Sequence, residues 1–175
     1  MNLSTGKSES FGNCEYKEHL NILRQLYFFS KLPLETVKVF AYLCSKEYYK
    51  PGDFLFRQGE DEGRAFYIIS GTARLYRNME GREQEIRDYG PEDFIGTMAL
   101  LGNIPRLYSL KAFSNLSCLV MQRDKISRAL QQYPELMPKV MRTVVERVNY
   151  WEEQFLMRHA QKDEKYMKGL GVSLI

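Results

Sequence analysis

The sequence predicts a mainly β fold with flanking helices: a double-stranded β-helix (jelly-roll) barrel with N-terminal helices and a long C-terminal helix. Short apolar segments with strand-like composition recur between residues 54 and 121. Before and after this region, apolar residues recur at helical spacing instead. Glycines separate the short segments, namely Gly52, Gly59, Gly63, Gly71, Gly81, Gly90, Gly96 and Gly102.

Composition limits the class of protein. The 175 residues are 44% apolar and 27% charged, which is typical of a globular domain with an appendage. We expect no membrane segment, since no apolar run approaches the roughly twenty residues required. The N-terminus does not resemble a signal peptide. Three scattered cysteines, two in apolar surroundings (Cys44 and Cys118), favour buried thiols in a reducing, cytoplasmic compartment.

Two helices are predicted before the strands. Leu20, Leu23 and Leu26 lie on one face of a helix over residues 20–29, and Pro33 ends the break that follows. A second helix is predicted over residues 34–44, where Val37 and Phe40 are spaced to face a core.

Strands are predicted wherever short apolar or alternating segments lie between turns. Residues 78–81 have the composition of a hairpin turn between two of them. The predicted strands are residues 54–57, 65–69, 72–77, 83–89, 94–95, 108–112 and 116–121.

Helical spacing resumes after the last strand. Asp124 is predicted to cap a helix that Pro134 ends, and a long helix starts at residues 135–138 and extends to about residue 168. The apolar residues of the long helix follow heptad spacing, which favours a partner helix and therefore a homodimer. The predicted seam is Met137, Met141, Val144, Val148, Trp151, Phe155 and Arg158.

These elements divide the chain into four parts. Residues 1–15 are predicted to be a flexible N-terminus, and residues 16–134 form the β-barrel domain with its flanking helices. Residues 135–168 form the long helix that would dimerise or act as a lid. Residues 169–175 form an apolar tail.

Residues 94–112 have the features of a small anion site. Gly96 breaks a strand end and frees backbone N–H groups at the start of a short helical turn. Arg106 follows ten residues later, a spacing that allows it to fold back onto the same spot, where its planar guanidinium matches phosphate. The segment contains no Asp or Glu. It therefore predicts a site for one phosphate.

Four short motifs occur in order along the chain, at residues 26–33 (LYFFSKLP), 49–53 (YKPGD), 56–60 (FRQGE) and 66–71 (FYIISG). Together they resemble the cyclic-nucleotide-binding domain family, as in catabolite-activator transcription factors and kinase regulatory subunits. The first resembles the family's opening helix and exit, the next two its turns, and the last one of its strands. Residues 94–112 resemble the family's phosphate-binding cassette, and we use that name for them below.

The resemblance implies a role for each cassette position. Gly96 matches the cassette glycine, Arg106 matches the phosphate-binding arginine, and Ser109 matches a Ser/Thr position. Met98, Ala99 and Leu100 match the turn that presents N–H groups to the cyclic phosphate. Thr97 replaces a glutamate that accepts hydrogen bonds from the ribose 2′-hydroxyl, and it is predicted to cap the turn instead. Leu107 and Tyr108 replace small residues and make the wall bulkier. Tyr150 or Trp151 is the possible lid over a bound base.

Two functions remain open. The first is a non-catalytic regulatory sensor that binds cyclic AMP or cyclic GMP and signals through the long helix. The second is a degenerate site on a ligand-independent interaction or dimerisation module with a protein effector. Catalysis, a metal and a cofactor are not expected, because the two histidines, His19 and His159, lie outside the predicted strands. Direct DNA binding is not expected either, because residues 161–175 are too short for a helix-turn-helix domain.

Overall fold

The computed structural model describes the backbone of residues 5–159 and, within residues 14–159, all side chains except Phe28, Trp151, Leu156, Arg158 and His159. Within residues 5–159 the chain forms five α-helices and eight β-strands in the predicted order of helices, strands, helices. The helices are α1 (Thr5–Gln25), α2 (Tyr27–Ser30), α3 (Leu34–Leu43), α4 (Arg123–Gln132) and α5 (Met137–His159). The strands are β1 (Ser45–Tyr49), β2 (Phe54–Phe56), β3 (Arg64–Ser70), β4 (Ala73–Met79), β5 (Arg82–Tyr89), β6 (Phe94–Ile95), β7 (Ser109–Ala112) and β8 (Leu116–Gln122).

The strands form two antiparallel sheets of four strands each, which confirms the predicted fold class. One sheet has the order β1-β8-β3-β6 and the other the order β2-β7-β4-β5. A buried apolar cluster between them includes Phe66 and Val120 from the first sheet and Leu75 and Leu110 from the second. Among the described strands each ladder stays within one sheet, so hydrogen-bonded strands do not close the jelly roll into a continuous barrel.

Strands β3 and β8 are buried on both faces, which explains their uninterrupted apolar sequences. Successive side chains of a strand point to opposite faces. Accordingly, Phe66 belongs to the cluster between the sheets, whereas its neighbour Tyr67 belongs to a second cluster beneath the helices. Val120 and Leu119 divide in the same way. These two strands therefore join the sandwich to the helical layer.

Strand β1 was not predicted, because its sequence SKEYY is polar. The polar side chains of this strand have specific partners. Lys46 Nζ lies 3.0 Å from Glu18 Oε1, and the Tyr49 hydroxyl donates to Glu47 at 2.7 Å. The Arg64 guanidinium also pairs with Glu47. Pairing between residues distant in sequence, rather than apolar periodicity, holds this strand in the sheet.

The N-terminal helices differ from the prediction in two ways. Helix α1 begins at Thr5 rather than at residue 20, so part of the segment expected to be flexible is helical. After the first helical turn has formed, each further residue of a helix adds one backbone hydrogen bond and loses the conformational entropy of one residue only. The helix then breaks at Leu26, whose backbone is extended (φ −74°, ψ 128°). This break brings Leu26 and Phe29 into one buried cluster with Phe40.

The C-terminal helices also require corrections. Asp124 is not the cap of α4, because the helix begins at Arg123 and Gln122 holds the N-cap position without a side-chain cap bond. Asp124 lies in the first turn instead, where its charge still favours the helix dipole. Helix α5 begins within the predicted range, at Met137, while residues 160–168 of its predicted extension and the tail 169–175 lie outside the described residues.

The predicted heptad seam of α5 does not form one free face. Val140 and Thr143 are buried against the domain, and Val144 packs beside them. Met137 and Met141, by contrast, are exposed. Val140 belongs to the cluster beneath the helices and Val144 packs against it, so this side of α5 faces the domain and part of the predicted seam is turned inward.

No helix among the described residues is both long and apolar enough to cross a membrane.

The two cysteines predicted to be buried thiols are buried, and neither forms a disulfide. Burial raises the pKa of the Cys44 thiol to about 12, and it does the same for Cys118. The thiolate is the reactive form of cysteine. Both side chains are therefore unreactive packing residues at neutral pH, whereas Cys14 is exposed.

We predict that Gly71→Ala destabilises the domain far more than Gly81→Ala. Both glycines have positive φ, of 88° and 79°. A Cβ on Gly71 would lie 2.2 Å from the Asn115 carbonyl oxygen, whereas nothing lies within 4 Å of a Cβ on Gly81. We expect a loss of unfolding free energy of about 3 kcal/mol or more for Gly71→Ala and of about 1 kcal/mol for Gly81→Ala. Equal losses in urea unfolding would contradict the close backbone approach at Gly71.

Candidate functional site

The cassette begins where strand β6 ends. Gly96 has a left-handed backbone (φ 88°, ψ 16°) and is the N-cap of a 3-10 helix, Thr97–Leu100. The Ala99 N–H donates to the Gly96 carbonyl at 3.0 Å. A Cβ on Gly96 would lie 2.7 Å from Arg106 Nη1 and 2.9 Å from the Arg64 carbonyl oxygen. Glycine is therefore required here both for the backbone conformation and for space.

Arg106 reaches back to the start of the cassette, as the sequence predicted. Its side chain is only 10% exposed. The guanidinium lies over the Phe56 ring, with Cζ 4.2 Å from the ring centroid. Because a Cβ on Gly96 would meet Nη1, the guanidinium lies directly against the cassette glycine.

Glu62 is the main partner of Arg106. Arg106 Nε donates to Glu62 Oε1 at 2.8 Å and to Oε2 at 3.2 Å, and Nη2 donates to Oε1 as well. Nη2 also donates to the Arg64 carbonyl. The Glu62 side chain is 20% exposed, so this ion pair is largely shielded from water. Among the described residues, Nη1 is the guanidinium nitrogen of Arg106 without a hydrogen bond.

Residues 57–63, which join β2 to β3, form what we name the acidic loop. Its backbone is bonded to the cassette on both sides of Arg106. The Gly59 N–H donates to the Arg106 carbonyl, and the Arg106 N–H donates to the Glu60 carbonyl, each at 2.8 Å. The loop thus holds both the backbone and, through Glu62, the side chain of the arginine.

The acidic loop also holds the other end of the short helix, through Arg123 at the start of α4. Arg123 binds both oxygens of Asp61, at 2.7 and 3.0 Å. It donates as well to the Gly102 carbonyl at 2.7 Å and to the Ala99 carbonyl at 3.3 Å. The Arg123 guanidinium lowers the pKa of the Asp61 carboxyl below its usual value. One loop therefore anchors both ends of the cassette.

The remaining predicted wall residues take different positions. The Leu107 side chain is 71% exposed. Tyr108 packs against the cluster between the sheets. The Ser109 hydroxyl accepts a hydrogen bond from the Gln58 N–H at 2.9 Å, which ties β7 to the acidic loop.

Thr97 and Met98 border a separate groove between the cassette and α5. Thr97 is not the cap of the short helix, because Gly96 occupies that position and no side-chain cap bond forms. The groove has a volume of about 710 Å³. Its lining comprises Leu26, Tyr27, Glu92, Asp93, Phe94, Thr97, Met98, Leu101, Val144, Arg147 and Val148.

The predicted lid residues lie on α5. The Tyr150 side chain is 51% exposed, and its ring centroid is 5.7 Å from Cζ of Arg147, which borders the groove. The side chain of Trp151 lies outside the described residues. The structure thus brings Gly96 and Arg106 together, while it places Tyr150 beside the groove residue Arg147.

Sequence reasoning missed Glu62, Asp61 and Arg123. Residues 61–63 fall between the predicted strands 54–57 and 65–69, where the sequence pattern indicates only a connection. The run of three acids, Glu60 to Glu62, was the available indication, because such a run beside a cationic site needs partners. In the part of the chain that the structure describes, no group of three or more His, Cys, Asp and Glu side chains is arranged to hold a metal ion.

Fold and cassette together define a small regulatory ligand-binding domain. A sequence model of the cyclic nucleotide-binding domain matches residues 46–133, half of the 175 residues, and these include the whole cassette. The chain belongs to the cyclic nucleotide-binding domain family.

Comparison with known proteins agrees with this family. The chain is 25% identical over 162 residues to mouse cGMP-dependent protein kinase 2, an alignment that covers 91% of the chain and 21% of the kinase. It is 31% identical over 106 residues to a cAMP-dependent protein kinase regulatory subunit from Emericella nidulans, covering 60% of the chain and 25% of the subunit. The chain thus spans a quarter or less of these relatives.

A solved structure shows the same fold. The N-terminal domain of a transcriptional regulator from Streptomyces coelicolor aligns with a TM-score of 0.66 and 26% identity. The alignment covers 77% of this chain and 95% of that domain.

We predict that Arg123→Ala loosens the cassette. The substitution removes the donor shared by the Asp61 carboxylate and the Ala99 and Gly102 carbonyls. Hydrogen exchange of the Ala99 and Leu101 amides, which donate to the Gly96 and Met98 carbonyls, should accelerate by about tenfold or more, because charge-assisted hydrogen bonds contribute about 1.5–3 kcal/mol each. Arg128→Ala, at an exposed position of the same helix, is the control and should leave these amides unchanged. Unchanged exchange in both variants would contradict the anchoring role of Arg123.

Proposed function

We propose that this chain is a sensor domain that binds a cyclic nucleotide, cyclic AMP or cyclic GMP, and performs no catalysis itself. The observation that carries the proposal is the placement of the Arg106 guanidinium against Gly96, at the start of the short helix. This combination offers a cation and free backbone donors to one anionic group.

The phosphate would bind between Arg106 and the first turn of the cassette. The first N–H groups of a helix have no partner within it, and here the Ala99 N–H already donates to Gly96. We infer that the N–H groups of Thr97 and Met98 remain for the phosphate, together with the Arg106 guanidinium. Leu107, Tyr108 and Ser109 would lie along the wall that follows the arginine.

The sugar and the base have less evident partners. Thr97 offers one hydroxyl where the family has glutamate, so we infer a weaker hold on the ribose. The relatives include a cGMP-dependent kinase and a cAMP-dependent regulatory subunit. Both nucleotides are therefore appropriate probes. Tyr150 or Trp151 would close over a base only if α5 moved toward the cassette.

Signalling would proceed through α5. Met98 and Leu101 of the cassette share the apolar groove with Val144 and Val148 of α5. A ligand that favoured one cassette conformation would change this shared surface, and it would act only through that difference in affinity. The exposed Met137 and Met141 support the further proposal of a homodimer through α5 or a docked protein effector.

A second candidate is a ligand-independent interaction module. The observation that favours it is the ion pair of Arg106 with Glu62, since a satisfied guanidinium needs no phosphate. The exposed Leu107 and Met98 provide apolar surface for a protein contact. This module would dimerise or bind its partner with no thermal response to nucleotides.

We predict that Arg106→Ala strongly weakens nucleotide binding. Removal of a charge-assisted pair with a phosphate costs about 1.5–3 kcal/mol or more, so affinity for cyclic AMP or cyclic GMP should fall by at least about tenfold. Isothermal titration calorimetry of the purified chain with both nucleotides measures this loss. Arg82→Ala, in the exposed hairpin, is the matched control and should bind as the parent chain does.

The two candidates give opposite results in this experiment. Binding by the parent chain that is strongly weakened only in Arg106→Ala supports the sensor. A folded parent chain with no heat of binding and no shift in melting temperature at millimolar nucleotide excludes the sensor and supports the interaction module.

A further inference from the structure

We propose that Glu62 is a built-in competitor for the ligand's phosphate, so that its carboxylate sets the affinity of the site. This inference rests on the proposed function. The competitor and the ligand would exchange at Arg106, with Glu62 bound in the empty site and displaced in the occupied one.

The contacts of Glu62 are those that a phosphate would make. The carboxylate approaches the Nε–Nη2 edge of Arg106, and Oε1 is shared by both nitrogens. Carboxylate and phosphate bind the guanidinium through the same pair of parallel N–H donors. Because the Arg64 carbonyl takes a further Nη2 donor, only Nη1 remains for an incoming anion while Glu62 is bound.

The charges around Arg106 favour competition between Glu62 and the phosphate, rather than a Glu62 that assists phosphate binding. Glu60, Asp61 and Glu62 are consecutive in the acidic loop. Arg123 offsets Asp61, while Glu62 offsets Arg106 itself. An incoming phosphate therefore meets a neutralised ion pair rather than a free cation, and a nearby like charge disfavours a second anion. The pair is only 10% and 20% exposed, so solvent screens this repulsion incompletely.

Displacement of Glu62 would also alter the acidic loop. This loop holds the backbone of Arg106 at Gly59 and Glu60, and it holds Arg123 through Asp61. Exchange of the Glu62 carboxylate for a phosphate would remove the side-chain pair between Glu62 and Arg106 and leave the backbone bonds and the Asp61–Arg123 pair in place. The site would therefore report occupancy through the loop as well as through α5.

The size of the effect follows from the occupancy of the ion pair. If Glu62 occupies Arg106 for about nine-tenths of the time, the apparent dissociation constant is raised about tenfold, because only the unpaired fraction is competent to bind. We therefore expect Glu62→Gln to bind a cyclic nucleotide about tenfold more tightly than the parent chain. Glu62→Asp retains the charge but is one methylene shorter, so it should give an intermediate gain.

The test is calorimetric titration of the parent chain and both Glu62 variants with cyclic AMP and cyclic GMP. Glu85→Gln is the control, because Glu85 pairs with Arg74 between strands β4 and β5 and its substitution makes the same change in net charge. It should leave the dissociation constant unchanged. Thermal unfolding of each variant verifies that it is folded.

Each outcome decides the proposal. Affinity that increases from the parent chain to Glu62→Asp and further to Glu62→Gln supports competition. Binding by the parent chain that is equal or weaker in Glu62→Gln overturns it and assigns Glu62 to orienting Arg106, while the sensor function stands. A gain in Glu62→Gln with none in Glu62→Asp overturns the contact and leaves only a charge effect. No binding by any folded variant at millimolar nucleotide overturns both the competitor and the sensor.

Discussion

The near burial of one cation determines the form of the site. A charged side chain that is only 10% exposed must find partners, because an unpaired buried charge costs several kcal/mol. Arg106 finds them in the Glu62 carboxylate, the Arg64 carbonyl and the face of Phe56. Gly96 supplies the remaining space, since any side chain there would meet the guanidinium. The cassette backbone thus has the conformation that leaves room for the Arg106 side chain.

The same requirement connects distant parts of the fold. The acidic loop lies between β2 and β3, so it links the two sheets at the position where the cassette leaves β6. Through Asp61 and Arg123 it also reaches the first turn of α4, and so the helical layer. On its other side the short helix shares an apolar groove with α5. A change at the phosphate site therefore has two physical routes to the helices, one ionic and one apolar.

The predictable parts of the fold are those in which apolar residues follow the spacing of a strand or a helix. Strands β3 and β8 are buried on both faces and appear as continuous apolar runs, and α3 shows clear helical spacing. Strand β1 was missed because its polar residues are held by partners far away in sequence, such as Glu18 for Lys46. The early start of α1 was missed because neighbouring turns, rather than local composition, support it.

The candidate site likewise has a part that was predictable from the sequence and a part that was not. The spacing from Gly96 to Arg106 predicted their meeting, because a turn and a return strand bring them together. The resting partner of Arg106 was harder to predict, since Glu62 lies 44 residues away and the run of three acids, Glu60 to Glu62, was the single indication of it. The seam of α5 was only partly predictable, because heptad spacing does not distinguish a partner helix from the helix's own domain.

We propose Arg106 as the phosphate anchor, with the ligand replacing Glu62 there. A crystal structure of the chain grown with cyclic AMP or cyclic GMP would locate both groups. We expect a non-bridging phosphate oxygen within about 3 Å of the Arg106 guanidinium, with the Glu62 carboxylate moved away. A nucleotide bound elsewhere, or bound at the cassette with the Arg106–Glu62 pair intact, would contradict it.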